Sequence, residues 1–408
     1  MKCIIFQKFT LNYLFLLLFL AVSIFRKKVQ KPLFESMQKK AMYFFLMYIV
    51  ILSYFLAIIP FLIVKCLSKR RNKKQQSEKA LNNIENKTSY LHNKDKYAKK
   101  YFFKYTILVS VFDFLAEACI FVFYFLNDNM KVISLYTLKI YLIFNIMMQN
   151  ITSYIVLKTY LYKHHWLSIF MNIFCILSCL IMDIIMIVKR SITDFRYYIF
   201  ILMRLIRISL FSFENSYTKI ALNSEFLSPY SILLFKAVSE TILLGIFSIP
   251  FIFIKINDEN IINESIFVGF KEYLTGIKLL YSFIRLICEF LYRLFIIIII
   301  DRFSPNHLAL AHIVDSFGST LSAIIQSAID NKSILWINYA IFIVYIILII
   351  SAMIYNEIFI INRCGLSEKT KLFLDITLNE EKKNQYLLPE DESEKCERNE
   401  TIDETSIL

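Results

Sequence analysis

Eleven of the charged side chains inside long apolar runs, and one histidine, stand where a charge is costly unless it is paired or hydrated. Asp113 and Glu117 are four residues apart, and so share one face of a helix. Arg204 and Arg207 are followed two turns later by Glu214. Lys236 and Glu240 form an i,i+4 pair, and Arg285, Glu289 and Arg293 make a single stripe. His312 and Asp315 complete the set.

Asp113, Glu117, Glu214, Glu240, Glu289 and Asp315 face Arg204, Arg207, Lys236, Arg285 and Arg293, six acids against five bases. This near-balance predicts mutual compensation around an interior or a wet cavity. Two uses compete. In one the pairs hold helices together. In the other the cations Arg204, Arg207, Arg285 and Arg293 meet an anionic solute while the carboxylates pair with them or couple protons. Covalent chemistry is not indicated: there is no Ser/His/Asp ordering, glycine-rich phosphate loop or HExxH helix. The expectation is no enzyme, no cofactor and no metal. His164-His165, between Lys163 and Trp166, reads as an interfacial cluster with an aromatic anchor. Asn145, Gln149 and Asn150 are suited to bonding neighbouring helices or lining a pore.

The elements that position these groups follow from hydropathy. Of 408 residues, 57% are hydrophobic, and the mean hydropathy is +0.55. A soluble domain of this length needs far more polar surface. Only 5 glycines and 6 prolines are present, which argues against turn-rich β architecture. Runs near the length of about 20 apolar residues needed for a span occur at 9–25, 41–66, 105–127, 132–158, 166–188, 196–221, 229–254, 275–300, 305–329 and 334–361. The expected fold is therefore an all-α polytopic membrane protein with ten transmembrane helices over residues 1–361. Gly245, Pro250, Gly276, Pro305 and Gly318 are candidate bends. The first run has a basic start but no small-x-small cleavage site, and reads as a retained span.

The net charge of +13 lies in short segments beside apolar runs, which points to topology and away from nucleic acid. The basic loop 67–104 holds twelve Lys or Arg, from Lys69 to Lys104, and is expected in the cytosol. Ten spans then put both termini there. The acidic connector 256–270 and the sequons at Asn263 and Asn331 fall on the far side, as does the basic stretch 26–32, which strains the scheme. None of the 8 cysteines falls in a far-side loop, so no disulfide framework is expected. Cys175 and Cys179, one turn apart, suit packing. Residues 362–408 carry eight acids from Glu390 onward, and are expected to form a disordered cytosolic tail.

Four stretches carry a resemblance. They are Val109-Ser110-Val111-Phe112-Asp113-Phe114-Leu115-Ala116-Glu117, the basic joint Leu157-Lys158 through Ile169, Phe213-Glu214-Asn215-Ser216-Tyr217 with Leu227-Ser228-Pro229-Tyr230, and Phe303-Ser304-Pro305-Asn306-His307 through Asp315-Ser316. In order and spacing they resemble the drug/metabolite transporter superfamily, especially its solute-carrier-35-like branch of nucleotide-sugar transporters. The resemblance spans the third to ninth apolar runs. It implies two inverted five-helix repeats (9–188 and 196–361), a solute cavity between them and an endomembrane location in the Golgi or endoplasmic reticulum. The partners expected are the lipid bilayer and a small anionic metabolite, with a homodimer left open. A non-transporting scaffold or receptor, with structural buried charges, is the alternative.

Overall fold

A computed structural model describes residues 14–29, 39–67, 104–119, 137–190, 195–223, 228–253, 255–256, 259–260, 276–329 and 336–359. Most of the loop 67–104, the two sequons and the tail 362–408 lie outside the described residues. So do Cys3, Cys364 and Cys396.

The described chain is helical apart from one two-residue ladder. Helices occupy 14–29 (α1), Lys39–Phe55 (α2), 58–67 (α3), 104–119 (α4), Thr137–Leu157 (α5), Lys163–Arg190 (α6), Phe195–Asn223 (α7) and Pro229–Phe253 (α8). The antiparallel pair β1 (Lys255–Ile256) and β2 (Glu259–Asn260) follows. Then come α9 (Gly276–Arg302), α10 (Pro305–Ile329) and α11 (Trp336–Tyr355). A helix thus stands in each of the ten expected apolar runs, the second run holding α2 and α3.

Among the described residues, four stretches are long and apolar enough to cross a membrane: Met47–Leu67, Lys163–Met182, Pro229–Ile249 and Pro305–Gln326. Shorter apolar stretches are Ile143–Leu157 and Tyr339–Tyr355. The long helices α7 and α9 are continuous, but their apolar character is broken by the charges that the interior uses, Arg204, Arg207 and Glu214 in one and Arg285, Glu289 and Arg293 in the other.

The radial distribution of polarity suits lipid. On α6, Phe170, Phe174, Leu177 and Ile181 are exposed while Ser168 and Asn172 are buried. On α8, Val238, Ile242, Ile246 and Ile249 line the outside, each more than half exposed, whereas Lys236 and Glu240 are 2% and 1% exposed. Such continuous apolar outer faces would aggregate in water. Hydroxyls along the helices donate to carbonyls one turn back, as Ser110 to Thr106, Ser212 to Ile208, Ser239 to Phe235 and Ser248 to Leu244. This satisfies them without water.

Two large apolar clusters organise the bundle, and a smaller one joins Met47 and Ile51 of α2, Phe114 and Ala118 of α4 and Leu244 of α8. One large cluster joins Phe19 of α1, Tyr54 of α2, Ile232 and Leu233 of α8, Ile296 to Ile300 of α9 and Leu308 of α10. The other joins Ile143 and Ile146 of α5, Cys175 and Cys179 of α6, Ile313 of α10 and Tyr345 and Leu348 of α11. Cys175 and Cys179 are thus packing residues, and the described cysteines are free thiols. The early helices pack against the late ones: α2 lies on α8 and α9, α5 on α7 and α10, and α6 on α11.

The bends arise from particular residues. Pro60 has no N–H and obstructs the carbonyl four residues earlier. The helix breaks at Leu56 and Ala57, where three-residue bonds from Leu56 to Ser53 and from Ala57 to Tyr54 take over. Of the candidate bends, Gly276 starts α9 with φ +59. Gly245 and Gly318 lie in uninterrupted helix, and Pro305 opens α10, where a missing N–H costs nothing. Because a side chain disfavours the left-handed region, Gly276→Ala should lower stability by about 1 kcal/mol. Thermal melts in detergent would detect it, and no change would show that this turn relaxes freely.

Candidate functional site

A chain of buried ion pairs runs through the bundle. At its centre Asp113 of α4, fully buried, meets Lys236 of α8 and accepts from Arg293 Nη1 of α9 at 3.1 Å. Tyr54 Oη of α2 donates to Asp113 Oδ2 at 2.6 Å. Lys236 Nζ also reaches Glu214 Oε1 of α7 at 2.7 Å. One acid and one base thereby tie four helices together, with Tyr54 adding a fifth.

Arg293 is shared among three carboxylates. Besides Asp113, its Nη2 lies 2.6 Å from Glu117 Oε1 and its Nε 3.3 Å from Glu289 Oε1. Glu289 in turn meets Arg285 Nη2 at 2.9 Å and Arg26 Nη1 of α1 at 3.1 Å. Arg26 also covers the Tyr292 ring, 3.7 Å from its centroid. Arg285 Nη1 donates to the Arg26 carbonyl at 3.2 Å, so that one cation both pairs with Glu289 and caps the last turn of α1. A separate pair lies alongside: Lys27 Nζ to Asp315 Oδ2 at 2.6 Å, with Ser23 Oγ donating to the same oxygen at 3.1 Å.

Several relations read from spacing are realised. Asp113 and Glu117 face the same cation, and the Arg285–Glu289–Arg293 stripe forms both of its i,i+4 bridges. Others are not. Lys236 reaches across helices to Asp113 and Glu214 instead of settling on Glu240. Glu240 is buried, and its Oε1 has no hydrogen-bond partner. His312, for which spacing named no partner, sits among the rings of Phe19, Phe211 and Tyr292, with Nε2 lacking a hydrogen-bond partner. Arg207 is the open end of the network. Its side chain is 32% exposed, its Nη2 is 3.6 Å from Glu117 Oε1, and its Nε lacks a hydrogen-bond partner. Arg204, one turn earlier on the same helix, is half-buried and has interactions of its own.

Three members were missed in the sequence: Arg26, Lys27 and Tyr54. Arg26 and Lys27 abut the first apolar run, and the helix extends past that run to 29. The spacing of Ser23, Arg26 and Lys27 puts them on one face, which was the available signal. Nothing in the local sequence distinguishes Tyr54 from 24 other tyrosines.

Uncharged polar contacts extend the interior. Gln149 and Thr152 of α5 interlock with Ser212, Asn215 and Ser216 of α7: Asn215 Nδ2 donates to Gln149 Oε1, and Ser216 Oγ donates to Thr152 Oγ1. Ser351 of α11 donates to Asn172 Oδ1 of α6 at 2.8 Å. Asn145 Oδ1, Asn150 Nδ2 and Asn215 Oδ1 are buried without a hydrogen-bond partner. With the orphaned atoms of Arg207, Glu214 and Glu240 they mark an interior with unused hydrogen-bonding capacity.

No protein-family model matches the chain, and no curated protein matches it in sequence.

Removing one partner of a buried pair strands the other. Lys236→Met should therefore lower stability by about 3–5 kcal/mol. Glu214→Gln combined with it should cost less than the sum of the two single changes, because the two side chains are in contact. Denaturation of the single and double variants in detergent would measure this, and strict additivity would deny the coupling.

Proposed function

We propose that this chain is a secondary transporter of a small polar, anionic metabolite, working by alternating access in an internal membrane. The observation that carries this reading is the open end of the network at Arg207. Its guanidinium is held by one distant carboxylate and retains an unused N–H, one turn from Arg204 on the same helix. An anion arriving there would compete with Glu117 for Arg207. Because Glu117 also holds Arg293, that competition would loosen the links from α4 to α7 and α9. Exchange of carboxylate partners for solute is a means of rocking one half against the other.

The same proposal takes all ten apolar segments as spans, with the Lys-rich loop in the cytosol and two inverted five-helix halves. The packing of early helices on late ones supports a cleft between halves. The antiparallel alternation also agrees with which helix levels meet. Arg26 near the end of α1 contacts the first half of α9, and the α5–α6 joint contacts the end of α11. In the folded bundle Arg26 and Lys27 of the basic stretch 26–32 are paired with Glu289 and Asp315. The order of motifs that resembles solute-carrier-35-like proteins suits a nucleotide-sugar or similar phosphorylated solute.

One observation favours the alternative of a non-transporting scaffold: Arg293 and Lys236 are buried and already held by carboxylates. Uptake of radiolabelled anionic metabolites into proteoliposomes separates the two. A transporter should lose at least tenfold in initial rate with Arg207→Ala, since a charge-assisted hydrogen bond contributes about 1.5–3 kcal/mol. Arg204→Ala and Arg285→Ala complete the series. Uptake unchanged in all three would remove these cations from the site. No uptake above protein-free vesicles for any anion would favour the scaffold.

A further inference from the structure

The α5–α6 joint and the end of α11 bring three metal-ligating side chains together, apart from the central network. His164 and His165 open α6, and Glu357 follows α11. One ligand atom from each lies within 4.8 Å of the other two. His164 is 4% exposed. Its Nε2 has no hydrogen-bond partner and lies 3.4 Å from Glu357 Oε1. The two imidazole centroids are 4.0 Å apart with their planes tilted by 49°, and the His165 ring lies 4.6 Å from that of Tyr355.

The backbone presents Glu357 in a conformation that glycine usually provides. Asn356, Glu357 and Ile358 end α11 in a Schellman arrangement: Ile358 N–H donates to Met353 O and Glu357 N–H to Ile354 O. Glu357 stands at the left-handed position with φ +57. A carboxylate is thereby held against His164 at a place where the fold alone would favour glycine.

We propose that His164, His165 and Glu357 form a binding site for a divalent transition metal of the zinc type. Two imidazoles and one carboxylate are a donor set suited to zinc, leaving a fourth position open. The 3.4 Å between His164 Nε2 and Glu357 Oε1 gives no satisfied hydrogen bond. It matches the edge of a tetrahedron with zinc–ligand bonds of about 2.0–2.2 Å, which is roughly 3.3–3.6 Å. His165 Nδ1 now accepts the Tyr162 N–H at 2.9 Å, so an ion at that nitrogen exchanges with this bond. Tyr162 precedes α6, and its carbonyl accepts the Trp166 N–H at 3.2 Å, so that exchange would involve its N–H alone. A bound ion would cross-link the α5–α6 joint to the end of α11. The proposal stands apart from the transport reading and uses none of its residues.

The test is titration of the purified full chain in detergent with Zn2+, followed by calorimetry and thermal melting, and with Co2+, followed by visible absorption. The unmodified chain should bind one ion, melt at a higher temperature in its presence, and revert with chelator. Glu357→Gly keeps the turn, because glycine favours its left-handed backbone, and removes a ligand. Without metal it should melt no lower than the unmodified chain. Its affinity for Zn2+ should fall at least tenfold, and the metal-induced rise should vanish. His164→Asn should behave alike toward the metal. Absence of saturable binding by the unmodified chain would overturn the proposal, as would undiminished binding by both variants, which would place the ion elsewhere.

Discussion

An ionised side chain surrounded by hydrocarbon loses its hydration, and the energy must be returned by an opposite charge or by trapped water. In this chain the return is arranged across helices. Asp113 collects a lysine, an arginine and a tyrosine from three different helices, and Arg293 collects three carboxylates. Each contact is worthwhile only because its alternative, a stranded charge in an apolar bundle, is so unfavourable. Helix positions are therefore coupled through charge as well as through packing. The apolar outer faces, which gain nothing from one another in lipid, leave the interior polar contacts to specify which helices meet.

How much of this could be read from residues alone depends on range. Relations confined to one helix were visible: Asp113 with Glu117 on one face, and the Arg285–Glu289–Arg293 stripe with its two bridges. Helix positions were visible too, because apolar runs of sufficient length are hard to place otherwise. Partner choice between helices was not. Spacing nominated Glu240 as the companion of Lys236, whereas packing put Asp113 and Glu214 nearer its ammonium. Spacing named no partner for His312 or Asp315; α1 supplied Lys27 and Ser23 to that carboxylate, and aromatic rings surrounded the imidazole. The break at Leu56–Ala57 has its cause in Pro60, a residue that the reading of bends passed over.

The same limit of range explains why the histidine pair reads blandly in one dimension. His164 and His165 beside Trp166 look like interfacial residues, and Trp166 is indeed half-exposed there. Their third companion comes from the opposite end of the chain, placed by a helix-ending turn whose left-handed residue is a glutamate. A local pattern search cannot join residues separated in this way. A contact between two helix ends can.

The pairing of Arg26 and Lys27 has a consequence for biosynthesis. Their acidic partners are encoded 263 and 288 residues later. At about 5–20 residues per second of translation, α1 waits roughly ten seconds to a minute before Glu289 and Asp315 leave the ribosome. During that interval the two cations need another shelter, such as lipid phosphates or the insertion machinery. α1 thus meets these neighbours long after it emerges, and a nascent chain released before residue 289 would carry Arg26 and Lys27 unpaired.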